Sequence, residues 1–150
     1  MRYSETKIGR VFLVSVEDGE RLPDAIESFA REQNISHGVL FMLGAIQNGE
    51  LVAGPDDYKA SPITILTTMV ERPHDAMVMG TIFPDEAGHL VVHLHGAMAS
   101  GERVTMGCLR LGVHVWEVAE VVVMELSGLK AVRRFDPEVG FSRLVPDPEG

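Results

Sequence analysis

Between residues 8 and 16, Val11, Leu13 and Ser15 alternate with Phe12, Val14 and Val16. Both sides of that alternation are largely apolar, which predicts a strand buried inside a layered domain. The polar run Glu17-Asp18-Gly19-Glu20 supplies a turn, and the period then changes. Leu22, Ile26, Phe29 and Ala30 recur at helical spacing, with Asp24, Glu27, Arg31 and Glu32 mostly outside their stripe. This predicts a helix over 22–33, with Pro23 suited to its first turn and Asn34 to a left-handed stop. Strand periodicity returns over 38–46, interrupted by Gly44. Gln47-Asn48-Gly49 reads as a hairpin turn into a strand over 50–53, because Asn-Gly accepts the positive φ angles of two-residue turns. Gly54-Pro55-Asp56-Asp57 reads as a loop. Further strands are predicted over 63–70, 76–83, 90–98 and 113–126. Ser100-Gly101-Glu102 is a turn, and 103–112 is open between strand and short helix. The tail, 145–150, is expected to be loose. Many strands with one clear helix imply an α/β (α+β) fold on a mixed, largely antiparallel sheet. Residues 1–150 are expected to form one domain, with its core at about 8–135.

Composition narrows the class. A chain of 150 residues can bury roughly 70% of its unfolded surface, so neither a disulfide nor a cofactor is needed to explain folding. The single cysteine, Cys108, excludes an intrachain disulfide and suits a reducing compartment. Its role is packing, metal binding or reactivity. The first residues lack the basic start and apolar stretch of a signal peptide, and no apolar run approaches the ~18 residues of a membrane span. The cytoplasm is the expected location. The net charge of -9 opposes binding to nucleic acid, whose phosphates attract basic surfaces. The only basic doublet, Arg133-Arg134, reads as a solvated strand end.

Residues two apart on a strand share a face, so His93 and His95 lie together, about 6–7 Å apart along the strand, while Val92 and Leu94 turn into the core. His89 has the same parity but lies about 13 Å from His93. Two imidazoles side by side can converge on one ion. After the reversal at 100–102, the returning segment can bring Cys108 beside them. Two nitrogens and a sulfur suit zinc and leave one coordination position for water or a ligand. A small buried hydrophobe is the other role open to Cys108. Glu120 shares parity with Trp116, Val118, Val122 and Met124. Buried there, it would need a cation, a metal-bound water or a histidine N–H; the alternative is that this face is exposed. Neither a G-x-S-x-G elbow, a Walker loop nor a G-x-G-x-x-G turn is present. The glutamate spacing of a cupin is also missing.

From His93-Leu94-His95 through Met106-Gly107-Cys108-Leu109 to Glu120-Val121-Val122-Val123, the chain resembles the PPC family (plants and prokaryotes conserved domain). Leu43-Gly44-Ala45-Ile46 and Met79-Gly80-Thr81-Ile82 match further elements of that family in order, as do the opening strand, turn and helix. The resemblance covers roughly 10–126. It implies an antiparallel sheet flanked by helices and assembly as a homotrimer. Prokaryotic members are usually stand-alone proteins with no assigned reaction, while plant members carry AT-hook segments that bind DNA. No such hook occurs in this sequence. The histidines are also similar to those of acetolactate decarboxylase, which holds zinc with three of them. That similarity implies metal ligation by His93 and His95, with Cys108 in the place of the third histidine and Met106 in that of a glycine. The expected function is a trimeric, zinc-binding PPC protein that takes a small-molecule ligand. The alternatives are a zinc-dependent lyase or hydrolase, with Glu120 handling a proton, and a DNA-associated regulator.

Overall fold

The computed structural model of the chain describes residues 1–147. Strand β1 (Lys7–Glu17) leads through β2 (Arg21–Leu22) to helix α1 (Asp24–Glu32) and the long β3 (Gly38–Asp57). Then come β4 (Thr64–Val70), β5 (His74–Pro84), β6 (Leu90–Ser100), β7 (Arg103–Cys108), β8 (Val113–Ser127), β9 (Lys130–Asp136) and β10 (Phe141–Asp147). The main sheet runs β1-β8-β3-β5-β6-β7, with β2 on β8 and β4 on β3; β9 and β10 pair with each other. All pairings between these strands are antiparallel, in keeping with the largely antiparallel sheet expected from the sequence. A lone parallel bridge joins Asp85 to Arg133. Helical cover comes from α1, which is the one helix among the described residues. It is not long and apolar enough to cross a membrane.

Apolar spacing explains where α1 sits. Ile26 and Ala30 are buried against the sheet, and Phe29 packs beside them. The helix is shorter than its pattern because Leu22 is held in β2 opposite Val113, and Pro23 takes the position before the first turn. Asn34 has φ 56°, the expected left-handed stop. Under the helix lie Leu40, Met42 and Ile46 of β3, Val78 and Ile82 of β5, Leu94 and Met98 of β6, and Val121 and Val123 of β8.

The hairpin turn at 47–49 and the loop at 54–57 do not form. Both segments belong to β3, which pairs with β8 as far as Gly49 and with β4 from Gly49 to Asp57. Turn chemistry is a local preference, and two long partners override it. Its residue is an irregularity: the register against β8 shifts between Ile46 and Asn48, and Asn48 Oδ1 lies 2.8 Å from His114 Nδ1. Of the segment left open between strand and helix, 103–108 forms β7 and 109–112 is a turn. There Gly107 is required, since a Cβ would stand 2.6 Å from the Val52 carbonyl oxygen. That close approach lets Cys108 pair with Val52, so the β3-β5-β6-β7 sheet curls back toward β3. The C-terminal hairpin was not foreseen. Residues 145–147, expected to be loose, pair with 130–132; the remainder of that tail, 148–150, lies outside the described residues.

One face of the sheet packs on α1, and the other faces outward. Leu13, expected in a strand buried on both sides, is 86% exposed because β1 is an edge strand covered on one face alone.

Candidate metal centre

Strand β6 sorts its side chains by alternation. Val92, Leu94 and Met98 enter the core, while His93 and His95 stand on the outer face. Register fixes their neighbours: Thr81 lies opposite His93, Met79 opposite His95 on β5, and Cys108 opposite His95 on β7. The imidazoles meet edge to face at 86°, with their Nε2 atoms 3.1 Å apart. Of these two nitrogens one must carry the proton and the other accept it. One ligand atom from each of His93, His95 and Cys108 falls within 4.8 Å of the others. His93 is half-buried, His95 exposed and Cys108 buried. The three residues singled out in the sequence are thus brought together. His89 stays apart, with its Nδ1 3.2 Å from the Asp85 carboxylate at the β5–β6 turn.

Glu120 is not brought to the cluster. It is exposed on β8, and β3 and β5 lie between β8 and β6. Three strand spacings make that about 14 Å within one chain.

A further member was missed. Strand β9 passes beside the end of β5 and places Arg133 on the outer face, where Nη2 donates to Thr81 Oγ1 at 2.7 Å. Arg133 is only 7% exposed, and its Nε has no hydrogen-bond partner. The reading of Arg133-Arg134 as a solvated strand end is therefore half wrong. Strand alternation splits the doublet: Arg134 remains outside, bonded to Glu86 at 2.8 Å, and Arg133 goes in. The available signal was the turn-forming Asp136-Pro137-Glu138 between two short alternating runs, which marks a hairpin and hence a two-residue period through the doublet.

The electrostatics favour neutral imidazole. Burial, followed by the charge of Arg133, the neighbouring His95 and then Arg110, lowers the His93 pKa from 6.5 to about 4. At neutral pH, its ring therefore has a free nitrogen lone pair to offer. Burial also lowers the Arg133 pKa, an effect that Cys108 partly opposes.

The donor set fits a divalent metal. Two nitrogens bonded at about 2.0–2.1 Å in a tetrahedral site stand roughly 3.3 Å apart, close to the separation of the two Nε2 atoms. With two imidazoles and a thiolate the set is borderline-soft, and zinc suits it. His93, His95 and Cys108 would hold the ion. Once bound, it would supply Lewis acidity at the position that three protein ligands leave open.

Several known proteins share this fold. The archaeal metal-containing protein AF0104 from Archaeoglobus fulgidus superposes with a TM-score of 0.84 at 23% identity, over 97% of this chain and 99% of that one. A plant- and prokaryote-conserved (PPC) protein from Pyrococcus horikoshii gives 0.80 at 22%, over 95% and 97%. A protein from Bacteroides thetaiotaomicron, described only provisionally as DNA-binding, gives 0.77 at 20%, over 97% and 99%. These likenesses establish the fold. In sequence, the chain is 30% identical over 139 residues to the bifunctional protein GlmU of Synechococcus sp. (strain JA-3-3Ab). That match takes in 90% of this chain but spans only about a fifth, 20%, of the curated relative's length. The family profile described as the Plants and Prokaryotes Conserved (PCC) domain matches residues 3–127, and the chain belongs to that family, the PPC family of the sequence resemblance.

Proposed function

We propose that this PPC domain binds a divalent metal, zinc by its donor chemistry, through His93, His95 and Cys108, and presents it to a small ligand. The observation that carries this reading is the convergence of the three donors within 4.8 Å, from two adjacent strands. The metal-containing character of the A. fulgidus protein supports it. Binding rather than turnover is the reading favoured here, because Glu120, the one proton handler suggested by the sequence, is not part of the cluster.

The same proposal includes self-association as a homotrimer through the outer face of the sheet. Leu13, Leu43, Met77, Met79, Val104 and Met106 are each more than half exposed, at 86, 57, 63, 57, 74 and 62%. Apolar patches of this kind mark interaction surfaces. Net charge -9 and the provisional description of one relative pull in opposite directions on DNA, and nothing in the site favours that partner.

The decisive experiment is elemental analysis of untagged protein purified without chelator, beside His93→Ala and Cys108→Ser. Near-stoichiometric zinc in the wild type, lost in both variants, is the expected result. No metal uptake from supplied zinc would reduce the histidines and the cysteine to structural residues.

A further inference from the structure

Arg133 and Arg10 use the same edge of the guanidinium in opposite circumstances. On the surface, Arg10 directs Nε and Nη2 at the two carboxylate oxygens of Glu125, at 2.7 and 2.9 Å. In Arg133 the Nη2 bonds to a neutral hydroxyl, Thr81 Oγ1, and the Nε to nothing. No ion pair among the described residues involves Arg133. Asp85, bridged to it through the backbone, turns its own carboxylate to the backbone N–H groups of Ala87 and His89. A buried guanidinium without an ion-pair partner carries a desolvation cost, which among the described residues the charge of Cys108 offsets only in part.

The surroundings deepen the imbalance. Arg110 and Arg133 both act on His93, and among the described residues no carboxylate answers them there, in a chain whose net charge is -9. A bound divalent metal would add further positive charge. The partner that would complete the site is an anion. Its shape is set by the guanidinium edge: two N–H groups side by side, as at Arg10, match the two oxygens of a planar carboxylate. Arg133 is 7% exposed, so a carboxylate that reaches its Nε has to be a small one.

We propose that Arg133, steadied by Thr81, forms a binding site for a small carboxylate next to the His93–His95–Cys108 cluster. The proposal deepens the metal-site reading and rests on it for the neighbouring cation, while the anion itself rests on Arg133.

Acetate is the probe and inorganic phosphate the competitor. Saturation-transfer NMR of the acetate methyl group, on metal-free and on Co(II)-loaded protein, reads binding without any assay of turnover. Saturable binding to wild type is expected in both forms, and more tightly with Co(II). Arg133→Met should weaken it by at least about tenfold in the metal-free form, with circular dichroism unchanged. Arg133→Lys, which keeps the charge but not the fork, and Thr81→Val should fall between; they decide the matter if Arg133→Met does not fold. Failure to take up Co(II) would sink the metal reading alone, since the metal-free comparison of wild type with the variants still tests the anion site. Acetate binding that is absent from both forms, or equal in wild type and variants, would overturn the proposal. So would displacement of acetate by equimolar phosphate.

Discussion

The two faces of the main sheet are built from alternate residues of the same strands, yet they meet opposite fates. On β6, Val92, Leu94 and Met98 are buried beneath α1 or its neighbours, whereas His93, His95 and Ala97 look outward. On β3, Leu40 and Met42 are buried while Phe41 and Leu43 are 42 and 57% exposed. The outer face is scarcely less apolar than the inner one; it differs in having no helix of its own chain to cover it. At one end of it, β6, β7 and β9 bring two histidines, a cysteine and an arginine together. One face thus completes the fold within the chain, and the other is the face that the proposed trimer and metal site would use.

The largest effect should come from the inner face. Leu94→Ala removes a side chain that is 1% exposed, and a loss of about 2–5 kcal/mol in unfolding free energy is expected by denaturant titration. A change below about 1 kcal/mol would mean that the inner face is not the core that burial implies. Next comes the outer face. Leu43→Asp should leave intrachain stability within about 0.5 kcal/mol, as surface substitutions usually do, but lower the mass found by light scattering to that of a monomer. An unchanged mass would remove the outer face as the interface. The smallest effect is a pH slope in the metal-free protein. The His93 pKa is about 4 in the fold against 6.5 when unperturbed, so between those values the unfolded chain binds the proton more readily. Stability from this group is fully present above 6.5 and declines as pH falls toward 4. His93→Asn should flatten thermal stability across that window, and an unaltered slope would assign it to other groups.

Much of this contrast could be read in the alternation itself. The strand positions of β1, β5, β6 and β8, the helix and the shared side of His93 and His95 all follow from periodicity. Cys108 could be placed by a turn and a returning strand. What escaped was decided by pairing at a distance. Asn48-Gly49 has the chemistry of a turn, but β4 and β8 hold it in β3. Arg133 looks solvated beside Arg134, and only the β9–β10 pairing and the approach of β9 to β5 turn it toward Thr81. Whether an apolar strand face is covered depends on how many helices the chain supplies, and β1 shows that two apolar faces do not guarantee two neighbours.

The register that matches Lys7 with Ser127 also governs how the chain can fold during synthesis. β8, the neighbour of β1 in the main sheet, is made more than a hundred residues after it; the same β8 borders β3. Loop closure over such a span has to precede the contacts that reward it, so folding belongs to the slow, non-local class, milliseconds to seconds. Until β8 arrives, the ribosome-bound chain presents two apolar strands with unpaired backbone edges. The passage from nascent chain to closed sheet is therefore the stage at which this protein is most open to aggregation and to chaperone capture.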